Sequence, residues 1–172
     1  MALCARFAKK EPADLKHDVA TATCNLCACG AEPELLVEEG AVGALFWLTL
    51  QDLLSANAAV FGECATALRY LAQHPRVVPL LCDETNLLPL ITRLARFDES
   101  EAVRYDAAVV LYHALSHEPS QRALCRAGAV KILTDLAATG PRTREVCSAA
   151  LHQLPNDLMS HIDGQLLGVL MS

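Results

Sequence analysis

Hydrophobic positions along the chain recur in a phrase that opens on glycine or asparagine and continues with apolar residues. The phrase stands at 40–45 (GAVGAL) and returns at 128–133 (GAVKIL). Degenerate copies stand at 86–91 (NLLPLI) and 164–169 (GQLLGV), so neighbouring copies start 36 to 46 residues apart. A spacing in this range is typical of proteins that are built from stacked structural repeats.

A second phrase, a run of small residues that ends in leucine, recurs in step with the first. Its copies are 19–26 (VATATCNL), 64–71 (CATALRYL), 108–115 (AVVLYHAL) and 147–154 (CSAALHQL), which start 45, 44 and 39 residues apart. An ordinary helical domain would show apolar periodicity without two phrases in a constant order. The pattern therefore predicts an internal repeat over most of the chain.

Each repeating unit divides into three predicted helices. In the first full unit a short helix spans 32–39, a second runs from Ala41 to about Leu54, and a third ends near Gln73. Gly40 stands where a glycine commonly ends a helix. Alanine and leucine dominate the composition and aromatic residues make up only 5%, which favours helices over strands. We therefore predict an all-α fold.

The order of these phrases resembles the armadillo repeat. The matching segments are 38–48 (EEGAVGALFWL), 64–72 (CATALRYLA), 125–136 (CRAGAVKILTDL) and 147–154 (CSAALHQL). The resemblance implies a right-handed α-solenoid, an armadillo-like superhelix of about three full repeats with partial terminal repeats. The expected divisions are an N-terminal flexible segment (1–13) and an armadillo-repeat domain (14–171). The domain is expected to consist of a partial repeat (14–30), full repeats at 31–74, 75–117 and 118–154, and a partial repeat (155–171).

In the armadillo family the third helices line a concave groove that usually holds an extended peptide. The resemblance therefore implies a non-catalytic scaffold or adaptor that binds another protein or an extended peptide in this groove. Tyrosine and arginine are enriched among binding hot spots, so Arg69 and Tyr70 are the leading anchors. The full set of candidate groove residues is Asn25, Thr66, Arg69, Tyr70, Arg104, His113, His152 and Gln153.

The importin-α branch of the family clamps basic peptides with a repeated Trp and Asn on the third helices. The Asn position, one residue before the leucine that ends the second phrase, holds Asn25, Tyr70, Ala114 and Gln153 here. The Trp position, four residues earlier, holds Thr21, Thr66, Val110 and Ala149. Only Asn25 matches, so a receptor for nuclear-localisation peptides is not expected.

Charge and hydrophobicity narrow the class of partner. The net charge of −6 argues against a nucleic-acid binder, which normally carries a basic excess. The longest apolar stretches, 41–50 and 166–171, are too short to cross a bilayer, and no secretory signal stands at 1–10, so a cytoplasmic protein without direct membrane insertion is expected. Cys4, beside two lysines, is a candidate for palmitoylation.

The terminal units suggest an alternative role. A solenoid needs end units with a polar outer face, yet this chain opens on a third helix and closes on the apolar run 166–171. Uncapped ends of this kind allow end-to-end self-association. They also fit a structural segment of a larger armadillo protein in a ciliary, cytoskeletal or membrane-contact assembly.

A cysteine-based metal site is the remaining alternative. Cys24, Cys27 and Cys29 form a C-x-x-C-x-C run with His17 upstream, and thiolates bind zinc. No second half-site follows, however, and most of the eight cysteines fall within apolar helical patterns, where free cysteine behaves as a small hydrophobe. Core packing is therefore the preferred interpretation. The chain carries no known catalytic or phosphate-binding motif, so neither an enzyme nor a cofactor is expected.

Overall fold

The structure is a computed structural model that describes residues 13–29, 32–50, 58–97, 100–155 and 158. Most of these residues are helical and none of them belongs to a β-strand, so the prediction of an all-α fold is confirmed. The described helices are α1 (Ala13–Ala28), α2 (Pro33–Glu38), α3 (Ala41–Leu50), α4 (Ala58–Ala72), α5 (Val78–Asp83), α6 (Leu87–Ala95), α7 (Glu101–Leu115), α8 (Glu118–Arg126), α9 (Ala129–Ala137) and α10 (Pro141–His152).

Helix boundaries follow from local chemistry. Helix α2 begins at Pro33, whose missing N–H needs no partner in a first turn. Gly40 and Gly128 have φ values of 86° and 101° and separate α2 from α3 and α8 from α9, in a left-handed region where a side chain would be strained. Helix α7 is capped by Ser100, whose Oγ accepts from the Val103 N–H at 3.4 Å.

Helix packing arranges the described helices in three rows. The short helices α2, α5 and α8 contact one another in sequence, and so do α3, α6 and α9. The longest helices, α1, α4, α7 and α10, form the third row, in which each packs against the next. We call these four helices the long-helix row, and they are the helices that the sequence pattern places third in each unit.

The core lies between the rows and combines large and small side chains. Leu45, Leu90 and Leu133 are fully buried on α3, α6 and α9. The long-helix row contributes buried small residues such as Ala67 and Ala107, which let neighbouring helices approach closely. The buried residues of all three rows form one continuous cluster, so contacts between helices of different rows build the core.

Candidate partner-binding surface

Burial along the long-helix row shows which residues occupy equivalent positions. The buried residues of α1 repeat in α10 at a constant offset: Lys16, Ala20, Thr23, Cys24 and Cys27 match Thr143, Cys147, Ala150, Leu151 and Leu154. The same positions are buried on α4 (Val60, Cys64, Ala67, Leu68 and Leu71) and on α7 (Val103, Ala107, Val110, Leu111 and Ala114). These matches define a burial register for the row.

This register corrects the sequence alignment by one residue in α1 and in α7. The phrase alignment pairs Leu26 with Leu71, but Leu26 is 48% exposed and Cys27 takes the buried place. Leu26, and not Asn25, therefore stands at the position equivalent to Tyr70. Asn25, which was the single match to the importin-α pattern, therefore no longer falls at the Asn position.

The row is cross-linked by polar side chains at the contact between α4 and α7. The Nε atom of Arg69 lies 2.9 Å from Oδ1 of Asp106, and Thr66 Oγ1 donates to Oδ2 of the same carboxylate at 3.0 Å. The side chains of Arg69 and Asp106 are 24% and 14% exposed, so the ion pair is only partly open to solvent. The side chains of Thr66, Arg69 and Asp106 therefore bind one another.

All three tyrosines of the chain lie on α4 and α7 and are half-buried. The guanidinium of Arg69 lies 4.8 Å from the centre of the Tyr70 ring, and that of Arg142 lies 4.0 Å from the Tyr105 ring. The Tyr112 ring meets His113 edge-on at 5.3 Å. Cation–π and edge-to-face contacts hold these rings in place. Tyr112 and Arg142 were missed in the sequence because their importance depends on neighbours across the row.

Arg104 contacts the end of the preceding helix. Its Nη1 atom donates to the Phe97 carbonyl at 3.2 Å, and at the equivalent position of α10 Arg144 Nε donates to the Ala137 carbonyl at 3.3 Å. In both cases the acceptor lies seven residues upstream, at the end of the preceding helix. These arginines therefore satisfy carbonyls at helix C-termini. The structure does not place Arg104 in the Arg69–Asp106 cluster.

The remaining candidate residues are spread along the row. Asn25 is exposed on α1, and His152 is exposed on α10 with Nδ1 2.7 Å from the Ser148 carbonyl oxygen. Gln153 is half-buried, and its backbone carbonyl accepts from Gln121 Nε2 at 3.2 Å. His113 on α7 is partly desolvated, and this burial lowers the pKa of its imidazole and favours the neutral ring.

Most of the described cysteines are buried or partly buried. Cys24, Cys27, Cys64 and Cys147 are buried free thiols, whereas Cys29 is exposed. Burial raises the pKa of Cys24 and of Cys147 to about 12 and that of Cys27 to about 11, with a hydrogen bond to Glu63 adding to the shift at Cys24. Thiols with such raised pKa values are poor nucleophiles and poor metal ligands at neutral pH. Within the described ranges, no three His, Cys, Asp or Glu side chains are grouped so as to hold a metal ion. Cys4 lies outside the described residues.

No described helix combines the length and the apolar character that a bilayer-crossing segment needs. The apolar run 166–171 lies outside the described residues, as does the segment 1–12. Comparison with known proteins finds no matching family model, no matching curated protein and no matching solved structure.

Proposed function

We propose that this chain is a non-catalytic protein-interaction scaffold whose long-helix row binds a partner protein or an extended peptide. In this proposal the three rows are the first, second and third helices of an armadillo-like, right-handed solenoid with about three full repeats and partial terminal repeats. The observation that carries it is the sequential packing of α1, α4, α7 and α10 with one shared burial register. In such an array the face of the third helices forms a concave groove.

The side chains on this face support binding rather than catalysis. Tyr70, Tyr105 and Tyr112 present large rings that neighbouring side chains hold in place, so little conformational freedom is lost when a partner binds. The charges of Arg69 and Asp106 neutralise each other. A long ligand of one charge sign therefore finds no continuous complementary charge here.

Site-specific photo-crosslinking tests the proposal. A photoreactive phenylalanine analogue replaces Tyr70 on the long-helix row or Lys131, an exposed residue on α9. If the row is the binding face, crosslinked partners from a cell lysate accumulate at position 70 and not at position 131. If adding Tyr112→Ala abolishes the crosslinked products at position 70, Tyr70 and Tyr112 belong to one binding surface. Equal crosslinking at both positions would refute the proposal.

A structural segment of a larger armadillo assembly is the second candidate. The observation that favours it is the outer face of α1, where Leu15 and Leu26 are 37% and 48% exposed and Ala22 is exposed between them. Exposed apolar side chains on one face of a helix can contact a neighbouring chain, and the exposed Asp18 lies among them. Analytical ultracentrifugation of the wild type and of a Leu15→Glu/Leu26→Glu variant tests this second candidate. Self-association of the wild type that increases with concentration and is lost in the variant supports it. Monomeric sedimentation of both proteins counts against it.

A further inference from the structure

Two histidines share one cleft between the ends of α4 and α7. The cleft, of about 220 Å³, is lined by Ala72, Gln73, Pro75, Val78, His113, Ser116 and His117. Both histidines are half-buried, and none of the described residues that line the cleft is Asp, Glu, Lys or Arg. The two imidazoles therefore meet no charged side chain in the cleft that they line.

The backbone sets the spacing of the two imidazoles. His113 lies in the last turn of α7, and His117 follows four residues later. The chain stays helical between them, because Ser116 has φ −69° and ψ −16° and the His117 N–H donates to the Ala114 carbonyl at 3.3 Å. Side chains four residues apart on a helical turn have Cβ atoms about 5–6 Å apart. The two rings therefore stand side by side and can reach a single ion.

A chain of hydrogen bonds indicates which nitrogen of His117 carries the proton. The Cys82 thiol donates its only proton to the Ala114 carbonyl at 3.7 Å, so its sulfur can only accept in its hydrogen bond with Ser120. The Ser120 hydroxyl thus donates to Cys82, and its oxygen accepts from Nδ1 of His117 at 2.8 Å. In the neutral His117 ring the proton is then on Nδ1, and Nε2 keeps a lone pair.

The His113 ring also keeps a lone pair that no neighbour uses. Within the part of the chain that the structure describes, this ring meets the Tyr112 ring edge-on at 5.3 Å and forms no hydrogen bond with another described residue. A neutral imidazole has one acceptor nitrogen. The cleft therefore presents two neighbouring nitrogen lone pairs.

Two neighbouring lone pairs favour an electron-pair acceptor as the ligand. A carboxylate or a phosphate needs N–H donors, and Nε2 of the neutral His117 ring offers none. Divalent transition-metal ions such as Zn²⁺, Ni²⁺ and Cu²⁺ bind imidazole nitrogen, whereas Mg²⁺ and Ca²⁺ prefer oxygen. Histidines that bind metal usually donate their other ring N–H to a neighbouring acceptor, as His117 does to Ser120.

We infer that His113 and His117 form a two-histidine site for a divalent transition-metal ion. The protein supplies two ligands and water fills the other coordination positions, so the site needs no third His, Cys, Asp or Glu, and no such group of three occurs among the described residues. A site this open exchanges its ion with solvent, unlike a structural zinc site with four protein ligands. The inference is independent of the proposed function, because it requires no partner protein.

Isothermal titration calorimetry with Ni²⁺, in a buffer with a phosphine reductant, tests the inference. Mg²⁺ is the comparison cation, and His113→Gln and His117→Gln each remove one ligand. His152→Gln is the matched control, because His152 is exposed and its Nδ1 lies 2.7 Å from the Ser148 carbonyl oxygen. His152 therefore has the same free Nε2, but the residue four positions before it is a serine.

We expect one Ni²⁺ to bind per chain and Mg²⁺ to bind at least about a hundredfold more weakly. His113→Gln and His117→Gln should each weaken Ni²⁺ binding about tenfold or more, and Ser120→Ala, which removes the acceptor for Nδ1, should also weaken it about tenfold. His152→Gln and Cys29→Ser, which removes an exposed thiol, should change the affinity less than about twofold.

Nuclear magnetic resonance locates the ion in the unsubstituted protein, so the test does not depend on the folding of any variant. Bound paramagnetic Ni²⁺ should broaden the amide signals of Gln73, Ser116 and His117 first. Circular dichroism establishes which variants are folded.

Three outcomes overturn the inference: Ni²⁺ binds no more tightly than Mg²⁺, both histidine variants bind Ni²⁺ as the wild type does, or the broadening is centred on His152 or Cys29. None of these outcomes bears on crosslinking at position 70, so failure of the metal site and failure of the proposed function remain distinguishable.

Discussion

Helices α1 and α4 occupy equivalent places in the long-helix row but bury side chains of different size. Leu68 and Leu71 on α4 are replaced by Cys24 and Cys27 on α1. Two leucines thus give way to two smaller thiols, and the end of the row gains less from apolar burial than its middle. Because α1 buries smaller apolar side chains than α4 at these positions, we expect α1 to open before α4.

Truncation of equivalent positions tests this gradient most strongly. Leu68→Ala removes a fully buried leucine from the middle of the row and should lower the free energy of unfolding by about 3 kcal/mol. Cys24→Ala, at the equivalent position of α1, deletes one sulfur atom and should cost about 1 kcal/mol. Urea denaturation followed by circular dichroism measures both values. If the two substitutions lower the free energy of unfolding equally, α1 and α4 do not differ in stability as proposed.

Alkaline pH should weaken the α1 end through its buried thiols. Burial raises the pKa of Cys27 from its ordinary value of 9.0 to about 11, so the folded state keeps a proton that the unfolded state loses. The stability that this thiol contributes is complete below pH 9 and is lost as pH rises toward 11. At pH 10 the loss is about 1.4 kcal/mol for this single group.

Cys27→Ala is the variant that isolates this effect. Its free energy of unfolding should fall less between pH 9 and pH 11 than that of the wild type. At pH 10 the variant should have lost about 1.4 kcal/mol less than the wild type, because it lacks the Cys27 thiol. Hydrogen exchange should show the wild-type loss first in the amides of α1. If the free energies of unfolding of the two proteins fall in parallel with rising pH, the Cys27 thiol is not the group responsible.

The ion pair between α4 and α7 should matter less than either core substitution. Asp106→Asn removes the charge that faces Arg69 but keeps an acceptor for the Thr66 hydroxyl. Because the pair is partly exposed, we expect a loss of about 0.5–1 kcal/mol in low salt. The difference should shrink in 1 M salt, where charges are screened within about 3 Å. A salt-independent loss would indicate that the amide disturbs packing instead.

Sequence periodicity was sufficient to predict the helical class and the helices of the long-helix row, because apolar spacing and terminal prolines and glycines are local signals. It could not set the burial register of α1, where Leu26 and Cys27 are adjacent and either could face the core. Nor could it reveal that Arg69 meets Asp106, since that pairing depends on how two helices pack. The domain limits and the identity of the groove residues remain predictions.

The smallest expected effect tests the register itself. Leu26 is nearly half exposed on the outer face of α1, so Leu26→Ala should change the free energy of unfolding by less than about 0.5 kcal/mol. Leu71→Ala, the position that the phrase alignment treats as equivalent, should cost about 3 kcal/mol because Leu71 is fully buried. If the two losses were similar, Leu26 would belong to the core and the one-residue correction would be wrong. A near-zero value places Cys27 in the core and leaves Leu26 on the surface, where a neighbouring chain can reach it.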